Sequence, residues 1–200
     1  MKRLHLDEIE SMPLTWLGLD WRPVRHALGI TAFGINAYHG AQAGDLVVEE
    51  HSDPHQELYV VLRGSARFRA GDEEFDAPAG TLVLLEPEEH RVAHGAEPGT
   101  VVLAIGAESK RFEPSAWEYG FRGRALFDLR RAEEAWEAIE QGLERYPDRG
   151  LLVFTRAVLN AERGDEEAAL ADLRRAIEIY PAFAEWAQQE PALASVRDRL

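Results

Sequence analysis

Glu57-Leu-Tyr-Val-Val-Leu-Arg63-Gly64-Ser-Ala-Arg-Phe-Arg-Ala70-Gly71-Asp72 decides how the first half of this chain folds. Over Ser65–Ala70, Arg67 and Arg69 alternate with Ala66 and Phe68, the period of two that sends polar and apolar side chains to opposite faces of a strand. Over 57–63 the odd positions Glu57, Tyr59 and Val61 share one face, and Leu58, Val60 and Leu62 share the other. Ala70-Gly71-Asp72 carries the residue types of a tight turn. The same texture runs outward from this stretch. Ile30 to Tyr38, Thr81 to Leu85 and Thr100 to Ile105 are β-branched, aliphatic or aromatic runs, and Pro78-Ala-Gly80 punctuates the middle. From about Thr31 to Gly106, short strands separated by Gly and Pro predict an antiparallel sandwich or barrel.

From Pro114 onward the period changes. Glycine thins out, Ala, Leu, Glu and Arg dominate, and Ala135, Ile139 and Leu143 fall at helical spacing. The switch near residues 107–115 divides the chain into a β-rich part, 1–112, and a helical part, 113–200. The helical part repeats itself: Pro147 and Pro181, Tyr146 and Tyr180, Ala135 and Ala169, and Ile139 and Leu173 each lie 34 residues apart, the tetratricopeptide period of one helix–turn–helix per unit. The units are expected over about 116–149 and 150–183, with Gly123 and Ala157 at the close-packing position, Gly164-Asp165 as a turn, and a partial third unit over 184–200. Two units are fewer than such arrays usually need to stand alone, so this half is expected to lean on the β-rich one.

Composition narrows the function classes. With 46% apolar residues the chain can bury a core. Its 22 basic and 36 acidic residues leave a formal charge of -14, which repels phosphate backbones and anionic lipid, so neither nucleic acid nor membrane is an expected partner. There is no cysteine, which removes disulfides, thiolate metal sites and cysteine nucleophiles and fits a cytoplasmic protein. The opening Met1–Gly18 has acidic residues and no apolar run of the kind a secretory signal needs.

Four of the seven histidines fall in two windows inside the β-rich part, His51-Ser-Asp-Pro-His55-Gln-Glu57 and His90-Arg-Val-Ala-His94. His51, Asp53, His55 and Glu57 share parity, as do His90 and His94. If Glu57 and His90 both point into a barrel from neighbouring strands, they converge on one ion. Neutral imidazole with one carboxylate suits iron, manganese, nickel, cobalt or zinc.

The spacing Gly44-(six residues)-His51, Glu57-(six residues)-Gly64, then Pro78-Ala-Gly80 and Pro87-Glu-Glu-His90-(three residues)-His94 resembles the two motifs of the cupin superfamily. The resemblance covers roughly residues 30–106. It implies a jelly-roll β-barrel, followed here by the all-α tetratricopeptide-like part. It also implies a divalent transition metal held by His51, Glu57 and His90. Where the pattern has its second histidine this chain has Asp53; His55 is taken for that role, with Asp53 and His94 as alternates. The resulting expectation is a small-molecule and metal-binding protein with a helical repeat module. The alternative is a metal-dependent enzyme of dioxygenase or isomerase type. A small-molecule ligand, a protein partner on the repeats, and a homodimer through the outward Leu58, Val60 and Leu62 complete the expected partners.

Overall fold

Ten strands and six helices account for most of the chain in the computed structural model, which describes all residues 1–200. The strands lie within the unit Met1–Phe112 and five of the helices within the unit Glu113–Leu200. The first unit comprises β1 (Met12–Leu14), β2 (Leu19–Arg22), a short helix α1 (Val24–Leu28), β3 (Gly34–Gly40), β4 (Leu46–His51), β5 (Gln56–Arg63), β6 (Ser65–Ala70), β7 (Glu73–Pro78), β8 (Leu82–Leu85), β9 (Arg91–Gly95) and β10 (Thr100–Ala107). They form one curled sheet, a half-barrel, in the order β7-β6-β9-β4-β2-β3-β10-β5-β8, with β1 hanging on β2. The ladder does not close on itself, so β7 and β8 are edges.

The alternation read from the sequence builds the inside of the curl. Tyr59 and Val61 of β5, and Ala66 and Phe68 of β6, are buried. The rings of Tyr59, Phe68 and Phe75 stand 5.9 and 5.7 Å apart in series, at the separations aromatic pairs favour. Between β5 and β6 the chain reverses at Gly64, whose φ of +66° and whose close approach to Thr100 both exclude a side chain; a Cβ there would lie 2.7 Å from the Thr100 hydroxyl. The residues before β3 cover the outer face: Ile9 and Val24 pack with Ala37, Ile35 and Leu103. Asp7 bridges Arg22 at 3.0 Å and Arg63 at 2.8 Å.

The second unit has α2 (Ala116–Asp128), α3 (Ala132–Arg145), α4 (Gly150–Glu162), α5 (Glu166–Ile179) and α6 (Phe183–Gln189). Two helical hairpins thus follow the 34-residue offset. Residues that match across it are buried alike: Ala135 with Ala169, and Ile139 with Leu173, all at 0% exposure. Gly123 of α2 lies so near α3 that an added Cβ would stand 2.5 Å from Ile139, and its counterpart Ala157 is likewise buried. The unit has a core of its own. Phe183 stacks on Phe154 at 4.9 Å, and Leu193 and Val196 from the C-terminal turns join the same cluster.

The turns inside the two hairpins are built on one geometry with different residues. Gly164 has φ +80°, and Arg130, the matching residue of the first hairpin, has φ +62°. Left-handed backbone costs a side-chain-bearing residue about 1–2 kcal/mol. Arg130→Gly is therefore expected to be neutral to stabilising by up to about 1 kcal/mol, the gain reduced by the greater freedom of glycine in the unfolded chain. Gly164→Ala is expected to destabilise by about 1–2 kcal/mol. Urea unfolding of both variants checks the pair, and equal losses in both would contradict it.

Candidate functional site

The polar interior lies at one end of the curl, where β3 and β5 begin and β4 and β10 finish. A cavity of about 440 Å³ opens there, lined by Asn36 and Tyr38 of β3, Glu57 of β5, Ala104 and Gly106 of β10, and by Arg25, Phe33 and His55 at its rim. Room for it comes from small residues. An added Cβ on Gly106 would come within 3.2 Å of Glu57 Oε1.

The centre of this end is an ion pair. Arg91, the first residue of β9, is wholly buried. Its Nη2 donates to Glu57 Oε2, its Nε to the Tyr59 hydroxyl at 3.3 Å, and its Nη1 to the Glu89 carbonyl at 2.5 Å. Tyr59 in turn donates to Glu57 Oε2 at 2.5 Å. Burial would lower the affinity of Arg91 for its proton, but the bonds to Glu57 and Tyr59 outweigh it and raise the guanidinium further. Burial raises the Tyr59 phenol above its ordinary range, and its bond to Glu57 adds to that. Tyr38 is raised too, first by burial and then by the nearby Glu49 and Glu57 carboxylates. Both phenols thus stay protonated, and Tyr59 donates to Glu57. Glu49 keeps Oε2 buried without a hydrogen-bond partner.

Of the four expected metal ligands, two meet. His51 Nε2 lies 3.6 Å from Glu57 Oε2, with its ring fixed by a 2.8 Å bond between Nδ1 and the Glu49 carbonyl. His55 turns to Asp53 instead: its ring Nδ1 and its backbone N–H bond Asp53 Oδ1 at 2.5 and 2.8 Å. Burial of Asp53 would raise its carboxyl, but these bonds from His55 overcome it and hold the group below the ordinary range. His90 is half exposed, 3.9 Å from Glu50 on the outer side. His94 is exposed as well, opposite Arg67 of β6.

His90 and His94 do share a face, but it is the outer one. The turn Glu86–Glu89 contains Glu88 at φ +69°, and the alternation resumes beyond it with Arg91, Ala93 and Gly95 inward. The cross-strand partner of His51 is Arg91. No group of three His, Asp or Glu side chains stands close enough to hold a metal ion. The four side chains His51, His55, Glu57 and His90 are thus not gathered at one point, and Glu57 is bonded instead to the Arg91 guanidinium. Arg91, Tyr38 and Asn36 are the residues that sequence reading missed. Arg91 had one signal: its parity partners Ala93 and Gly95 are small, as residues facing a crowded interior are.

Residues 34–177, more than half of the chain, match the sequence family described as the AraC-like ligand binding domain. The chain belongs to that family. The match starts at the first residue of β3 and runs into α5, so the AraC-like ligand binding domain takes in both the polar end of the curl and most of the helical unit. The helical region is 36% identical over 63 residues to a TPR repeat-containing protein of Pseudomonas aeruginosa, a match covering 32% of this chain and 11% of that protein. The chain therefore spans about a tenth of that relative's length. Among solved structures, a cupin protein from Bacteroides fragilis aligns at 18% identity over 54% of this chain and 90% of its own, with a TM-score of 0.43. A polyketide cyclase from Streptomyces resistomycificus aligns at 17% identity over 53% and 78%, with a TM-score of 0.45.

The ion pair yields a prediction with an internal asymmetry. Arg91 has no access to solvent, whereas the Glu57 side chain is 16% exposed. Removing one partner of a buried pair costs about 3–5 kcal/mol, and replacing both by apolar groups costs far less. Glu57→Leu, which strands the guanidinium, is expected to cost more than Arg91→Met. The double variant is expected to lose much less than the two singles together. Additive losses in urea melts would show that the two groups are not coupled.

Proposed function

We propose that the half-barrel is a small-molecule receptor module whose ligand enters the cavity beside Asn36, Tyr38 and Glu57. One observation carries the reading: a chain of a ligand-binding family holds, at one end of its sheet, a space of about 440 Å³ lined by convergent polar groups. That size is within the range of about 300–1,000 Å³ usual for small-molecule sites. Glu57 Oε2 is engaged by Arg91 and Tyr59, so Oε1 is the oxygen offered to a ligand donor. The Tyr38 hydroxyl offers a donor in return. Cytoplasmic residence belongs to the same proposal and rests on the cysteine-free composition. No helix is long and apolar enough to cross a membrane.

The helical unit is the partner-facing half in this reading. It carries a second groove of about 400 Å³ walled by Trp117, Leu151, Tyr180, Phe183 and Trp186, three of whose aromatic rings are exposed. Such a face suits an apolar peptide segment.

A panel of small polar metabolites, screened by thermal shift and native mass spectrometry, tests the cavity. A ligand present at about 100 times its Kd raises stability by about 2.7 kcal/mol. Tyr38→Phe and Asn36→Ala should each weaken the hit by roughly tenfold, the worth of one hydrogen bond, and His94→Ala on the outer face should leave it unchanged. Equal binding by all four proteins would move the ligand elsewhere.

A homodimer is also proposed, through the outward face of β5 and β8. There Leu58 lies opposite Leu84 and Val60 opposite Leu82, and Leu62, Leu82 and Leu84 are 42, 64 and 56% exposed. Apolar surface of this kind at a sheet edge favours self-association. Sedimentation is expected to show a dimer that Leu82→Glu with Leu84→Glu converts to a monomer. A wild-type protein that stays monomeric at high concentration rules the interface out.

A further inference from the structure

We infer that the Arg91 guanidinium is a built-in cation standing where a metal ion is expected, and that it is the reason the remaining ligands cannot hold one. Three observations converge. First, the side chain is wholly buried and reaches Glu57 and Tyr59 of β5 from β9, so a positive charge is fixed at the polar end of the curl by the fold itself. Second, Glu57 Oε2, the oxygen nearest His51, already accepts from Arg91 and Tyr59. A metal ion bridging His51 and Glu57 would have to displace these donors and sit against a like charge that cannot leave. Third, the other two donors are committed: His55 to Asp53, and His90 to the outer side near Glu50. Of the expected set, one imidazole and one carboxylate remain facing inward, and no third His, Asp or Glu stands close enough to complete the three protein ligands of an open transition-metal site.

The cause is thus one side chain, and its effect is reversible by substitution. His51 and residue 91 are direct cross-strand partners, and Glu57 touches both. Arg91→His removes the fixed charge, frees Glu57 and supplies a third donor from a third strand. The facing set becomes two imidazoles and a carboxylate, which suits divalent cobalt, zinc or iron. Arg91→Lys keeps a cation at the same place and should behave as the wild type.

The test uses the full chain purified without a metal-affinity step and titrated with Co²⁺, read by visible absorption and by elemental analysis after dialysis. Wild type and Arg91→Lys are expected to show no ligand-field band and to retain no transition metal. Arg91→His is expected to show a saturable band at one ion per chain, lost again when Glu57→Gln is added. A stoichiometric metal in the wild type that Glu57→Gln removes would overturn the inference. So would an Arg91→His variant that keeps the wild-type circular dichroism and binds no cobalt. If Arg91→His does not fold, the wild-type and Arg91→Lys titrations decide alone, since a retained ion in either contradicts the proposal. None of these outcomes depends on whether a small molecule occupies the neighbouring cavity.

Discussion

A guanidinium without access to water has to be met by an anion, and the meeting of Arg91 with Glu57 is the constraint on which the polar end of the first unit depends. The pair spans β9 and β5 and recruits the Tyr59 phenol and the Glu89 carbonyl, so each of the three guanidinium nitrogens has an acceptor. A pair of this kind adds little net stability over an apolar replacement, because the cost of drying two charges offsets their attraction. Its effect is positional. It leaves Glu57 with one oxygen bound and the other turned toward the cavity, and the absence of a side chain on Gly106 gives that oxygen its space.

Much of this fold was legible in the sequence, and the reasons are local. In Ser65–Ala70 the alternation is uninterrupted, so burial of Ala66 and Phe68 and the greater exposure of Arg67 and Arg69, the latter half-buried, follow from the pleat alone. The helical repeat was legible because matched offsets report packing equivalence, and Ala135 with Ala169 and Ile139 with Leu173 are buried in the same way. The site was legible only in its first half. Glu57 and His51 face inward as their parity requires. The second window failed because parity does not survive a turn of unknown length: a left-handed residue at Glu88 intervenes before β9, and the register of β9 against β4 and β6 decides which set of side chains enters. That register is a tertiary property. An arginine beside two histidines also reads as surface charge until its partner across the sheet is known.

The helical unit gives a parallel case in which structure imposes what local preference resists. Gly164 and Arg130 occupy one place in successive repeats and share a left-handed backbone, although only the glycine adopts it without strain. The hairpin geometry is therefore set by how the paired helices pack. Close approach at Gly123 and Ala157, and the shared burial along α3 and α5, leave the turn no other path. The sequence of the first repeat hides its turn for the same reason: the conformation is present without the residue type that usually announces it.

A curled sheet of this type offers one open end and one inward face, and the chemistry it hosts is decided by the few side chains there. A metal ion would offer vacant positions to a ligand's lone pairs and polarise what binds. A guanidinium saturated by its own protein offers none, because its donors are spent on Glu57, Tyr59 and Glu89. What the cavity of this chain presents is a carboxylate oxygen, a phenol held in its protonated form and an amide, at Glu57, Tyr38 and Asn36. In the proposed receptor these groups would recognise a ligand by matching donors and acceptors. On the proposed reading, a fixed guanidinium in the interior makes the site a reader of hydrogen bonds. That is the property a binding module needs, and it requires no change in the strands that carry it.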